Sequence, residues 1–156
     1  MNNRKVYISG EIVPEVDAKI SIFDSAVLLG DTVTESTRTF NFKPFKLDEH
    51  LERLYKSFKL TRIDPQMTIE EMKKVSLELL EINKDNYKAN EDCWLVHNIS
   101  RGHSITGGNP ALQVSKPTVM IYTQPMNLVL WAPFYTKGCH AVTPPTRMVP
   151  LSLIHI

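Results

Sequence analysis

Cysteine is scarce in this 156-residue chain. Cys93 and Cys139 stand far apart, so neither a disulfide framework nor a zinc-ligand spacing is available, and reduced thiols in a cytosol are the expectation. Excess charge of one sign is also lacking: 18 basic and 17 acidic residues leave a formal net charge of +1. That balance gives no electrostatic reason to expect nucleic acid or an anionic membrane as partner. No segment approaches the apolar length needed to cross a bilayer. The N-terminal stretch MNNRKVYISG carries Arg4 and Lys5 without an apolar run behind them, so it has no signal-peptide pattern and a cytoplasmic location is expected. Internal repeats, low-complexity tracts, G-x-S-x-G, H-E-x-x-H, a Walker-type glycine loop and G-x-G-x-x-G are all missing. What remains open is the chemistry of small metabolites.

What is present is an ordinary globular composition, 42% hydrophobic and 22% charged. Residues 5–9 and 11–13 flank Gly10 in a pattern that predicts a short β-hairpin. Residues 31–40 are dense in β-branched side chains, and a short connection to residues 42–45 predicts a second hairpin. From Leu47 the period lengthens: Leu47, Leu51, Leu54 and Phe58 form one apolar helical stripe, with His50, Arg53 and Lys56 on another face. Thr68 and Glu71 then match a capping box opening a second helix, whose stripe runs Met72, Val75, Leu79, Ile82 and ends near Asn83. Residues 93–100 and 117–123 read as strands, as do 128–135 and 138–143, while the prolines of residues 143–150 exclude a regular helix or central strand there. The fold class is α+β, a small antiparallel sheet carrying a helical hairpin.

The segment FDSAVLLGD, the strand TVTES with Glu35, and the His-x-x-Arg-Leu element His50, Arg53, Leu54 together resemble the opening of a fold-type IV pyridoxal-phosphate enzyme. That family includes branched-chain and D-amino-acid aminotransferases and aminodeoxychorismate lyases. The resemblance covers residues 6–150 and is most specific over residues 24–54. It implies that Arg53 grips the phosphate of pyridoxal 5′-phosphate, a role suited to a planar guanidinium on a packed helix. The bland alternative is an exposed arginine paired with Glu49 or Glu52. The resemblance also assigns Thr34, Glu35, Arg101 and His103 to the substrate pocket. Thr34 stands where relatives often carry an aromatic residue, and the Arg-x-His pair of D-amino-acid aminotransferases has no counterpart at this spacing in the loop after Arg101. Asp24, Gly30 and Asp31 are expected to be structural, as is His50, which orients its helix.

By the same resemblance, residues 1–124 form the small α+β domain and residues 125–150 a linker and the first strands of a larger β-rich cofactor domain; residues 151–156 continue none of these patterns and read as a foreign tail or, alternatively, a buried apolar strand. The lysine that holds the cofactor covalently is expected to be absent from this chain, since none stands in a proline-turn-lysine-helix setting. The implied activity is amino-group transfer between an amino acid or amine and a 2-oxo acid in a homodimer. A lyase of the same fold and a non-catalytic dimerisation module are the alternatives.

Overall fold

The computed structural model describes residues 3–88, 91–103, 116–126, 128–143 and 145. The chain divides into two compact units, Met1–Met126 and Asn127–Ile156. The first begins with a hairpin of β1 (Lys5–Ile8) and β2 (Glu11–Pro14). Its two-residue turn puts both Ser9 (φ 46°) and Gly10 (φ 111°) at positive φ, which the right-handed twist of the flanking strands demands. A short helix α1 (Ser25–Leu29) leads through Gly30 into the long strand β3 (Thr32–Phe40), which turns at Asn41 and Phe42 into β4 (Lys43–Pro44).

Helices α2 (Leu47–Thr61) and α3 (Ile69–Asn83) follow, and then β5 (Cys93–Ser100) and β6 (Thr118–Pro125) complete the sheet. Among the described residues it has six strands in the order β2-β1-β6-β5-β3-β4, with antiparallel neighbours throughout. Consecutive hairpins account for its ends, while β5 enters between β3 and β6 only after the helical excursion. Both helices lie on one face, α2 over β3 and α3 over β1 and β6. The core is the layer between: Leu51, Leu54, Phe58, Met72 and Leu79 from the helices meet Val33, Leu95, Ile99, Val119 and Ile121 from the strands. Each such side chain contributes roughly 1.5–3 kcal/mol by leaving water.

The stripe of α2 is the expected one, with Leu47, Leu51, Leu54 and Phe58 all buried. The capping box of α3 also forms, Thr68 Oγ1 accepting from Glu71 N–H at 3.2 Å and the Glu71 carboxylate accepting from Thr68 N–H at 2.7 Å. The stripe of α3 is rotated from the expectation, however. Met72, Ser76, Leu79, Leu80 and Asn83 face inward, and Ile82 is 43% exposed. Two polar residues are drawn in because each finds partners. Ser76 bonds to Met72 O and His97, and the Asn83 amide both accepts from Lys5 N–H (2.7 Å) and donates to Lys5 O (2.9 Å), splicing α3 onto the edge of β1.

In the second unit, residues 128–135 are a correction: they lie in a helix, α4 (Leu128–Lys137), and not in a strand. An unalternating apolar run fits either state, and its leucines and alanine favour the helical one. Nor do residues 138–143 form a strand. Gly138, expected to open one, closes the helix at φ 69° with its N–H on Phe134 O. Apart from Thr143 and Pro145 the proline-rich segment lies outside the described residues, as do the tail 151–156 and most of the loop after His103.

Candidate functional site

Strand parity places the first element of the site. Along β3, Val33, Glu35, Thr37 and Thr39 turn toward the helices, so Glu35 is a carboxylate only 6% exposed beneath α2. On α2 the apolar stripe points into the core, which leaves His50 and Arg53, three residues apart, on the flank above β3. The three side chains converge. Arg53 donates from Nε to Glu35 Oε2 at 2.7 Å and from Nη2 to Oε1 at 2.6 Å, the paired geometry a guanidinium makes with one carboxylate. His50 Nδ1 lies 2.8 Å from Oε1, and since a carboxylate only accepts, Nδ1 carries the proton. Ser36 N–H donates to the same oxygen at 3.0 Å.

Burial alone pushes the Glu35 carboxyl up, but the donors Arg53, His50 and Ser36 N–H, with the charge of Arg53, outweigh it and hold it below the ordinary carboxylate range. Arg53 is shifted up by the same pairing. Its side chain remains 66% exposed, and among the described residues Nη1 has no partner. The result is a cation fixed along one edge and open along another, a geometry that can receive an anionic oxygen. A cleft of about 410 Å³ opens elsewhere in this unit, lined by Val6, Ile8, Met120 and Tyr122 beside the Arg4–Glu15 pair.

The other expected site residues are dispersed. Thr34 lies on the opposite face of the sheet from Glu35, exposed and paired across to Asn98, so the two-residue period separates two side chains assigned to one pocket. Glu35 itself lies under Arg53 and His50, not in an open pocket. Arg101 ties β3 to the end of α2: Nε donates to Asp31 Oδ2 at 2.8 Å, and Nη1 and Nη2 donate to the carbonyls of Arg62 (2.7 Å) and Thr61 (2.9 Å). Those are carbonyls a helix leaves without internal partners. His103 bridges to Asp24 and sets its ring edge-on to Phe23, with centroids 5.9 Å apart. Neither Glu49 nor Glu52 is the partner of Arg53; they pair with Lys46 and Lys56.

Two residues matter more than the sequence signals suggested. Asp24 caps α1 through Ala26 N–H and also takes the hydroxyls of Ser100 (2.6 Å) and Thr118 (2.5 Å), tying three segments together. His97, opposite Glu35 in the register, is fully buried. Ser76 spends its one hydroxyl proton on Met72 O, so His97 Nε2–H must be the donor in the 2.7 Å contact with Ser76 Oγ, leaving Nδ1 as a bare acceptor. Desolvation pushes its pKa down to about 4, against the pull of nearby Glu35, so the ring is neutral.

A small antiparallel sheet with a helical hairpin on one face is the fold this unit shares with solved branched-chain aminotransferases. The profile of the amino-transferase class IV family matches residues 32–149, and the chain belongs to that family. A Methanocaldococcus jannaschii protein assigned as a branched-chain-amino-acid aminotransferase is 36% identical over 151 residues, covering 97% of this chain and 49% of that protein. D-alanine aminotransferase of Staphylococcus epidermidis is 32% identical over 120 residues, 77% of this chain and 41% of that one. Among solved structures, the branched-chain aminotransferase of the thermophilic archaeon Thermoproteus uzoniensis, with norvaline, superimposes with a TM-score of 0.66 at 25% identity, over 80% of this chain and 41% of that one. The chain thus spans about half the length of these relatives or less.

Proposed function

We propose that this chain is the part of a pyridoxal-phosphate aminotransferase that anchors the cofactor phosphate, in a protein moving an amino group between an amino acid or amine and a 2-oxo acid. The observation that carries the reading is Arg53, locked by buried Glu35 along its Nε–Nη2 edge with Nη1 left for an anionic oxygen. The donor set fits the group: a phosphate wants a fixed cation with free N–H donors. When bound, the cofactor supplies the electron sink for amino-group transfer. Arg53 holds its phosphate, Glu35 and His50 hold Arg53, and Asp24 and Arg101 brace the strand ends on either side.

The lysine that attaches the cofactor belongs, in this reading, to a segment of the longer relatives that this chain does not span. The relatives include both a branched-chain and a D-alanine aminotransferase, so the amino donor is left at the level of an amino acid or amine. A homodimer is part of the proposal, supported by the exposed apolar side chains of Ile22, Phe23, Val27, Leu28 and Leu29 around α1. A cytoplasmic location is supported by the balanced charge and the unpaired thiols. The test is titration of the full-length protein with pyridoxal 5′-phosphate. Arg53→Ala is expected to raise Kd by about tenfold or more, the scale of one lost charge-assisted hydrogen bond, with Arg53→Lys recovering only part. Equal dissociation constants for wild type and Arg53→Ala would refute the reading.

A further inference from the structure

We infer that Glu35 and His50 are positioning residues for phosphate recognition: they fix the plane of the Arg53 guanidinium so that its Nη1 edge is presented to the ligand. The inference rests on Arg53 being the phosphate ligand and goes beyond it by assigning its two neighbours a role in affinity.

An arginine on an exposed helix flank ordinarily samples many rotamers, and ordering it on binding costs free energy. Here that ordering is already accomplished by the fold. Nε and Nη2 donate to two oxygens of a single carboxylate, which restricts rotation about Nε–Cζ and sets the orientation of the whole fork. The carboxylate cannot follow the arginine outward, because it is nearly fully buried on a central stretch of β3 and its Oε1 is also held by Ser36 N–H and by His50 Nδ1. His50 lies one turn before Arg53 on the same helix, so α2 delivers both donors to Glu35 as one unit. The negative charge of Glu35 sits on the far edge of the guanidinium from Nη1, where it orients the cation without standing between it and an incoming phosphate.

The experiment compares dissociation constants of pyridoxamine 5′-phosphate and pyridoxamine on the full-length protein. Both ligands lack the aldehyde, so neither forms a covalent link to lysine, and the ratio of the pyridoxamine constant to the pyridoxamine 5′-phosphate constant isolates the phosphate. General damage to the pocket weakens both ligands and cancels. Glu35→Gln is expected to lower the ratio about tenfold, the loss of an anchored charge-assisted pair. His50→Ala should lower it by about threefold, in the range of a single hydrogen bond, whereas His50→Asn, whose amide N–H can stand in for Nδ1–H, should retain it. If Arg53→Ala collapses the ratio while Glu35→Gln and His50→Ala keep the wild-type value, the positioning role is overturned and the phosphate role of Arg53 stands. If Arg53→Ala leaves the ratio intact, both fall. Should Glu35→Gln fail to fold, the wild-type protein decides by nitrogen-resolved NMR. A fixed guanidinium gives a protected Arg53 Nε–H and separate Nη signals, and a single averaged Nη signal would refute the inference.

Discussion

Lowering the pH should weaken the fold through His97. The ring is fully buried between β5 and α3, donates to Ser76, and desolvation holds its pKa at about 4, against an ordinary value of 6.5. In the unfolded chain His97 takes up a proton as the pH falls through its ordinary value, while the folded state takes none until about 4. Between those limits the unfolded state binds more protons, so stability rises with pH and is lost as pH falls. The full depression corresponds to about 3 kcal/mol, accumulating at up to about 1.4 kcal/mol per pH unit. Glu35 acts in the same direction but lower, since its depressed carboxyl gives up its contribution only as pH drops below the ordinary 4.5. Urea unfolding at intervals from pH 7.5 to 4.5 reads the effect, with His97→Gln as reference because an amide keeps a donor toward Ser76 and does not titrate. Wild type should lose about 2–3 kcal/mol more than the variant across that range. Parallel decline of the two proteins would refute the claim that His97 is held neutral by burial.

Thr68→Ala removes the capping box of α3 and should cost about 1 kcal/mol in the same unfolding assay. Leu51→Ala, at a fully buried position on α2, is expected to cost about 2–5 kcal/mol, and a loss under 1 kcal/mol would show that the helix–sheet layer is loosely packed. Arg101→Ala should destabilise by about 1–3 kcal/mol, because the Asp31 carboxylate and two carbonyls at the end of α2 lose their donor. Hydrogen exchange should quicken at Thr61 and Arg62, and unchanged protection there would contradict the scaffolding role. Mixed with pyridoxal phosphate, an amino acid and a 2-oxo acid, the 156-residue chain alone is expected to show no transamination; measurable turnover would place the required lysine within it.

Local rules carried much of the architecture. The two hairpins were legible because positive-φ turns and β-branched runs act over a few residues, and α2 was legible because four apolar residues repeat at helical spacing. The capping box announced α3 for the same reason. Its buried face was not legible, since Ser76 and Asn83 are polar and become interior only where His97 and the Lys5 backbone offer partners from strands distant in sequence. The run from residue 128 satisfied two secondary structures equally in sequence, and the helix won. At the site, Arg53 and His50 could be placed on one helix flank from spacing alone. That Glu35 is their common partner, that Thr34 turns away from it, and that Arg101 braces a helix end are consequences of how β3 registers beneath α2 and beside β5. Sequence by itself determined the two hairpins, α2 and the start of α3, because propensity, turn chemistry and periodicity are short-ranged, while its motifs carried the family resemblance. Only the tertiary structure decided which charges meet, because a buried carboxylate takes as partners whatever donors the packing of two distant elements brings within hydrogen-bond reach.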